Sequence, residues 1–386
     1  MSGRLLAVLL LAAILAAGPV AAEDAPAAER LAESLDLEEV EEFLSRLDRD
    51  LNQYMPRLNL RDVLGLFGRG GRGYDLAAMG RGLIRALLNE LVASHRILGT
   101  LLTLIVLTAL LRNLQAAFAG EEVARVAYLV CYLVLVYMAA AGFVLAVGLA
   151  RGVVRDLLSF MQAVLPLMIT LLMGTGALAS AGLFHPMLVA GTHVVGSVVA
   201  DVVLPLILFA AACDLASSSL GGVRVRGLAA LLRQAALGVL GVLLSGFLGI
   251  VAVYGVAGAV ADGVSLRTAK FMAGTFIPVV GKIFSDAVEV VFGTTLVLKS
   301  ALGVLGMLAV FVLTVFPLLK LVALVIIYRL AAALAGPFDV PVVADSLQDI
   351  ATGLTLVGVA AAAVGLVFLV ALAAMVGAGN AAVMLR

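Results

Sequence analysis

Charged residues are scarce in this chain, and tryptophan is absent. Only 13% of the 386 residues are Asp, Glu, Lys or Arg, whereas 63% are hydrophobic. A soluble domain is about a quarter charged and about half apolar, so the composition excludes an ordinary soluble globular protein. The net charge is zero, yet residues 23–62 hold 12 of the 25 acidic residues. The sequence therefore predicts a protein solvated mainly by lipid, with an acidic segment near its start.

Cysteine and histidine are also rare, and catalytic motifs are missing. Cys131 and Cys213 lie in separate apolar segments, so their spacing predicts neither a disulfide framework nor a metal site. The three histidines, His95, His185 and His193, show no metal-ligand spacing. No phosphate-binding loop, nucleophile elbow or zinc-protease helix occurs. We therefore expect no enzymatic activity, no metal and no cofactor.

The first 22 residues have the pattern of a secretory signal peptide. Arg4 provides the positive start, an apolar stretch follows, and small residues end at Ala22. An uncleaved first anchor is the alternative. In either case the next segment begins outside the cytoplasm. The predicted organisation is a signal peptide (1–22), an exported acidic and amphipathic helical region (23–96) and a multi-pass membrane domain (97–386).

The exported region contains two amphipathic helix patterns. The first has apolar residues three and four apart between 37 and 51, and it could pack on a partner helix or fold back on this chain. In the second, one face carries Leu83, Ile84, Leu87, Leu88 and Leu91, with Arg81, Arg85 and Glu90 turned away. That helix could lie along a membrane interface or pack on the membrane spans.

Apolar runs from residue 97 onward predict an all-α, polytopic helical bundle. Each run approaches the length of about 20 residues that spans a bilayer. Proline positions predict broken helices: Pro166 in a re-entrant segment, Pro278 in a later run, and Pro317 with Lys320 at a further break. We therefore expect six to nine membrane-embedded helices, some of them half-helices. The runs are 97–111, 126–150, 157–183, 187–212, 228–258, 269–298, 301–334 and 353–378.

The most informative polar residues are three charges in the run that Pro278 divides. Lys282, Asp286 and Glu289 stand at i, i+4 and i+7, which places them on one helical face. Charges on one face of a membrane helix, next to a proline break, indicate a polar pathway or gate lined by protein or water. A buried ion-pair network that fixes helix packing, or a loop at headgroup level, is the alternative.

Other ionisable residues also lie within or beside apolar runs, namely Asp201, Lys299, Lys320 and Arg329. Asp201, Lys320 and Arg329 are assigned to the same candidate pathway. Lys282 can pair with Asp286 inside the helix, which leaves Glu289 in need of a cation. Lys320 and Arg329, on the following helices, are the predicted partners for Glu289.

Several segments together resemble the stage III sporulation protein AE family. They are SFMQAVLPLMITLLM (159–173), LFHPMLV (183–189), AVADGVSLRTAKF (259–271), FIPVVGKIFSDAVEVV (276–291) and FPLLKLVALVIIYRLAAAL (316–334). The resemblance covers nearly the whole chain, and the third and fourth segments are the most specific.

This resemblance implies a multi-pass protein of the mother-cell membrane around the forespore, with its N-terminal region in the intermembrane space. It implies a component of the mother-cell-to-forespore channel, or feeding, complex, with a permease-like or conduit role. The expected partners are other membrane proteins of the stage III operon, the forespore-side channel protein, lipid and a possible second copy, but no nucleic acid. A stand-alone secondary transporter and a passive membrane scaffold are the alternatives.

Overall fold

The structure, a computed structural model, describes residues 76–117, 122–219, 226–276 and 280–384. Side chains at 269–291 are not among those described. The predicted signal peptide, the acidic helix at 37–51 and Pro278 therefore lie outside the described residues.

The described residues form α-helices and contain no β-strand, which confirms the all-α prediction. Two short segments complete them: a π-helical turn, Val199–Val203, and a 3₁₀ turn, Gly336–Phe338. The helices are α1 (Leu76–Ala93), α2 (His95–Ala117), α3 (Glu122–Gly174), α4 (Leu178–Val198), α5 (Leu204–Ser219), α6 (Arg226–Phe276), α7 (Val280–Ala335) and α8 (Pro341–Met384).

Helix α3 continues through Pro166, so the break predicted there is wrong. Proline removes one backbone donor, but an α-helix in an apolar environment tolerates this loss when the remaining backbone groups stay satisfied. Thr170 Oγ1 donates to the Pro166 carbonyl at 2.9 Å, which adds a local side-chain bond. The re-entrant segment proposed around Pro166 is accordingly part of a long, continuous helix.

The chain reverses instead at residues 175–177, between α3 and α4. Gly176 has a φ of +82°, in the left-handed region that favours glycine, and its N–H donates to the Met173 carbonyl at 2.9 Å. The Gly-Thr-Gly sequence at 174–176 is the local signal that α3 ends here. The apolar run 157–183 conceals it because composition does not change across the turn.

Helix α7 is likewise continuous through Pro317, so the predicted break near Pro317 and Lys320 is also wrong. Among the described residues, six helical stretches are long and apolar enough to cross a membrane. This number lies within the predicted range. The stretches are His95–Asn113, Leu129–Gly174, Leu178–Ser217, Arg226–Ser265, Phe292–Phe338 and Pro341–Ala378.

Helices α3, α7 and α8 form the centre of the bundle. A side chain on Gly142 would overlap Tyr328, and one on Gly174 would come within 2.8 Å of Thr295, so α3 and α7 run antiparallel. Helix α8 runs parallel to α3, because the Tyr132 hydroxyl lies 3.3 Å from the Ser346 hydroxyl near the start of both helices.

Small residues allow these helices to approach closely. Any side chain on Gly303 of α7 would overlap Val376 of α8, and one on Gly365 of α8 would overlap Thr314 of α7. Without a hydrophobic driving force between helices in lipid, such close van der Waals packing is the main source of their association. Glycine at these positions therefore determines the distance between α7 and α8.

Helix α1 packs on α7 with only part of its predicted apolar face. Leu83, Leu87 and Leu91 are partly buried, whereas Ile84 and Leu88 are 60% and 54% exposed. The face of α1 that contacts α7 is narrower than the sequence pattern predicted. Neighbouring residues on a helix point about 100° apart, so Leu83 and Ile84, or Leu87 and Leu88, do not share one narrow face. The exposed leucine and isoleucine share their side of the helix with Arg81 and Arg85.

The turn between α3 and α4 gives a test of the fold. We expect Gly176→Ala to destabilise the protein by about 1–2 kcal/mol, the cost of a left-handed non-glycine residue. A Cβ there would also lie 3.1 Å from the Phe292 ring. The measurement is thermal unfolding of the detergent-solubilised protein. Gly241→Ala, at an exposed helical position with open space, is the control, and an equal melting temperature for both variants would contradict the assignment.

Candidate functional site

The three charges predicted to share a face lie at the start of α7. Val280–Ala335 is a continuous α-helix, so the backbone at Lys282, Asp286 and Glu289 has the helical spacing that the prediction assumed. Their side chains lie outside the described ones, as does Pro278. Phe292, in the next turn, packs near Gly176 of the α3–α4 turn. Residues 280–291 therefore extend about 18 Å beyond that contact, at 1.5 Å per residue.

The predicted partners of Glu289 cannot reach it within one chain. Lys320 and Arg329 belong to the same unbroken helix α7. At 1.5 Å per residue, Lys320 lies about 46 Å from Glu289 along the helix axis, and Arg329 lies about 60 Å away. The predicted pairing is therefore wrong. Both cations are exposed on the outer surface of the bundle.

Asp201 is exposed on the π-helical turn that joins α4 to α5. The turn has one residue more than an α-helical turn, and Pro205 follows in the first turn of α5. Isolated π-turns of this kind are frequent at functional positions. The structure does not pair Asp201 with Lys320 or Arg329: Asp201 is exposed on this turn, both cations are exposed on α7, and no ion pair among the described residues joins them.

A buried lysine that the predicted pathway leaves out is Lys299 of α7. Its side chain is fully buried, and Nζ donates to the Val376 carbonyl of α8 at 3.0 Å. Lys299 stands one turn before Gly303, whose lack of a side chain allows Val376 to approach. The close helix contact therefore places a backbone acceptor within reach of the amine. An intramembrane lysine needs such an acceptor, because an unpartnered charge in lipid costs several kcal/mol.

Other polar side chains are buried close to Lys299 along α7. Thr294 and Thr295 lie one turn before it, and the Ser300 hydroxyl is buried without a hydrogen-bond partner among the described residues. Thr295 packs on Gly174 at the end of α3. One end of the bundle thus contains buried hydroxyls and an amine, immediately after the segment that carries Lys282, Asp286 and Glu289.

Asp262 of α6 caps helix α4. Its carboxylate accepts hydrogen bonds from the backbone N–H of Ala179 at 2.7 Å and of Ser180 at 3.2 Å. Ala177, which precedes α4, has no side-chain group for this purpose. A side chain on Gly258, one turn earlier on α6, would come within 2.6 Å of Ser180, so glycine permits the approach. The Asp262 carboxylate supplies the missing cap, and it interacts favourably with the positive N-terminal end of α4.

Sequence reasoning placed Asp262 in a family motif but assigned it no role. The available signal was that it is the one charged residue between Arg233 and Arg267, in an otherwise apolar stretch. It is 2% exposed. A buried acid of this kind needs a donor, and the donors here are backbone groups of another helix, which the sequence does not identify.

Ion pairs connect the helices at the opposite end of the bundle. Arg233 of α6 pairs with the buried Asp214 of α5. Arg226, at the start of α6, lies 3.7 Å from Asp349 and 3.9 Å from Asp345 of α8. Ion pairs therefore join α5, α6 and α8 at this end of the bundle. Such ion pairs between helices are typical of packing contacts.

The middle of the bundle is apolar. Gly306 of α7 faces Val164 of α3 and Leu372 of α8, and these two side chains are at most 1% exposed. Along this axis the described side chains fill the space between the three central helices. A polar path along the axis of a single copy would have to cross this hydrocarbon packing.

Comparison with known proteins agrees with the resemblance in the sequence motifs. The profile of the family described as stage III sporulation protein AE matches residues 58–379. The chain is also 34% identical over 359 residues to stage III sporulation protein AE of Bacillus subtilis (strain 168), a match that covers 93% of this chain and 90% of that protein. No solved structure matches the chain significantly.

The capping role of Asp262 can be tested by stability. We expect Asp262→Ala to lose about 1–3 kcal/mol, because two backbone N–H groups are left without an acceptor inside the bundle. Asp262→Asn, which keeps one oxygen acceptor, should lose less. Thermal unfolding in detergent measures both. Ser265→Ala, on the exposed side of the same helix, is the matched control, and an Asp262→Ala protein as stable as this control would rule out the cap.

Proposed function

Because this chain belongs to the stage III sporulation protein AE family, we propose that it is a membrane component of the mother-cell-to-forespore channel complex needed for endospore development. The observation that carries the proposal is the family match over residues 58–379, the same part of the chain that contains the six long apolar helices. Those helices provide an integral membrane body.

In this proposal the protein resides in the mother-cell membrane that surrounds the forespore. The N-terminal region would lie in the intermembrane space, where it could contact the forespore-side channel protein. This location is supported by the signal-like first 22 residues and by the acidic segment at 23–62. The other partners are membrane proteins of the same operon. Exposed apolar side chains along α3 and α6, for example Leu145 and Val242, support contact with lipid or with such subunits.

The conduit itself would lie between subunits. Val164 and Leu372 close the centre of a single bundle around Gly306, whereas Asp201, Lys320 and Arg329 are on its outer surface. Water and ions pass more readily along a surface that carries charges than through packed hydrocarbon, because desolvation of an ion in an apolar interior is costly. The polar pathway is therefore completed by neighbouring copies or by partner proteins.

The start of α7 would act as the gate of this pathway. Lys282, Asp286 and Glu289 have helical spacing there, and the buried amine of Lys299 and the hydroxyl of Ser300 follow within about three turns of the helix. When a partner protein binds, these charged side chains could exchange the ion pairs that they form with one another for ion pairs with the partner. The passive-scaffold alternative receives support from the same packed core, since tightly packed helices also suit an anchor.

The gate is tested by removing charge without changing side-chain size. We expect the double variant Asp286→Asn with Glu289→Gln to reduce forespore gene expression after engulfment by about tenfold or more, since each intramembrane charge contributes a few kcal/mol. A reporter in the forespore of an endospore-forming host measures this. Immunoblots of the membrane fraction, and co-purification of partner subunits, establish that the variant protein is still assembled.

Asp345→Asn, at the other end of the bundle and exposed, is the matched control and should leave expression unchanged. Normal expression in the double variant, with the protein assembled, would support the scaffold and reject the gate. Coupled uptake of a solute by liposomes that contain only this protein would instead favour the stand-alone transporter.

A further inference from the structure

Helix α1 has an exposed apolar stripe in addition to the face that packs on α7. Ile84, Leu88 and Val92 are 60%, 54% and 69% exposed. They stand at i, i+4 and i+8, so they follow one another along one side of the helix. Arg81 and Arg85 are exposed on the same side. The described part of the chain therefore leaves three large apolar side chains uncovered beside two positive charges.

The other face of α1 is already occupied. Ala86 is buried, and Leu83 and Leu87 are partly buried, where α1 packs on α7. With that face fixed on the bundle, the stripe of Ile84, Leu88 and Val92 cannot turn inward. An exposed apolar surface bordered by charges is typical of a binding site for another segment or molecule.

Lipid matches this side of α1 poorly. Among the described residues, the first stretch able to cross a membrane begins at His95, after α1. Leu76–Ala93 contains no aromatic residue of the kind that anchors a helix at a membrane surface. Its exposed side has two arginines, whereas segments that bind anionic lipid typically have about four to eight basic residues. A helix with an apolar stripe and an acidic edge is the better match.

The segment that precedes α1 in this chain has such a pattern. The acidic helix predicted at 37–51 lies outside the described residues, and its sequence supplies the argument. At 100° per residue, Asp48 stands about 60° from the centre of the apolar stripe. On α1, Arg85 stands about 60° from Leu88, the centre of its stripe, in the same rotational sense. The apolar stripe of the acidic helix consists of Leu37, Val40, Leu44, Leu47 and Leu51.

The two segments also carry opposite net charge. Residues 36–51 contain seven acidic residues and two arginines, for a net charge of −5. Residues 63–96 contain five arginines and two acidic residues, for a net charge of +3 with His95 neutral. Opposite charges on two surfaces favour their contact and oppose contact with surfaces of like charge.

The chain between the two segments is long enough for them to meet. Residues 52–75 number 24 and can extend over at most about 80 Å. Helix α1, with 18 residues, is about 27 Å long, so the acidic helix can reach any part of it. Because both segments belong to one chain, their contact is intramolecular and has the advantage of a high effective concentration.

We propose that the acidic helix at 37–51 folds back on this chain and packs antiparallel on the exposed stripe of α1. Leu44 and Leu88, the central residues of the two stripes, then lie opposite each other. In this register Asp48 lies beside Arg81 and Arg85. The antiparallel direction follows from the charges, because only in that direction do edges of the same rotational sense meet. The contact does not depend on the channel role and goes beyond the proposed function.

A disulfide bond between the two stripes tests the contact. In a protein with Cys131→Ala and Cys213→Ser, Leu44→Cys is combined with Leu88→Cys. The protein is purified, reconstituted in vesicles of phosphatidylcholine and phosphatidylglycerol, and oxidised mildly. We expect most chains to form an internal disulfide, measured as the loss of both thiols to a maleimide mass tag.

The matched control pairs Arg46→Cys with Leu88→Cys. Position 46 is two residues from Leu44 but about 160° around the predicted helix, so this pair should give little disulfide. Equal yields from the two pairs would overturn the docking. A disulfide-linked dimer in place of the internal bond would also overturn it and would assign this side of α1 to a second copy.

Access to Leu88 separates the acidic helix from lipid. In the same vesicles, deletion of residues 23–62 should raise the rate at which a soluble maleimide labels Leu88→Cys by about tenfold or more. Ala93→Cys, exposed about 140° around α1, is the control and should react equally fast in both proteins. An unchanged rate at Leu88→Cys would overturn the proposal. A rate that is slow in both proteins would assign the stripe to lipid, and a rate that is fast in both would show it open to water.

Charge reversal tests the register. We expect Asp48→Lys to lower the disulfide yield of the Leu44→Cys and Leu88→Cys protein by about fivefold, because it places like charges together at an exposed contact. Adding Arg85→Asp should restore much of the yield. Glu42→Lys changes the net charge equally on the far side of the predicted helix and should have little effect. Equal yields for Asp48→Lys and Glu42→Lys, or no recovery with Arg85→Asp, would rule out the proposed register.

The two proposals can fail separately. If the disulfide is absent while Asp286→Asn with Glu289→Gln still reduces forespore gene expression, the fold-back is wrong and the channel role stands. If the disulfide forms and that double variant sporulates normally, the fold-back stands and the gate is wrong.

Discussion

Backbone hydrogen bonding in an apolar environment is the constraint from which the rest of this structure follows. Lipid offers no partner to an N–H or C=O group, so a membrane segment must satisfy its own backbone, and a continuous α-helix does so. Proline alone therefore does not end α3 at Pro166 or α7 at Pro317. The chain reverses where a residue can adopt the left-handed conformation, as Gly176 does. Where α4 begins without a local cap, Asp262 from another helix satisfies its free N–H groups.

Close helix packing is the second determinant, and it links the fold to the polar groups. Gly303 lets α8 approach α7, and the same approach brings the Val376 carbonyl to the Lys299 amine. Gly258 similarly brings α6 near enough for Asp262 to reach the start of α4. In both places a missing side chain allows a charged group to find a backbone partner. Small residues therefore position the buried charges as well as the helices.

The location of charge gives the bundle three levels. The charged start of α7, with Lys299 just inside, marks one end, and the Arg233–Asp214 pair marks the other. Between them the axis is filled by residues such as Val164 and Leu372, and the exposed charges at Asp201 and Arg155 lie on the outside. A single copy thus has an apolar interior with polar groups on its surface. That distribution suits a subunit that works in an assembly.

The sequence by itself determined the helical class, the membrane environment and the family, because these depend on composition, run length and motif, which are local. It also identified Asp201, Lys320 and Arg329 as charges in apolar stretches, and the structure places all three on the surface. Only the tertiary structure decided where helices end and which groups meet. The pairing of Glu289 with Lys320 fails because one helix separates them, and Asp262 and Lys299 gain their roles from backbone groups of other helices, which carry no side-chain signature.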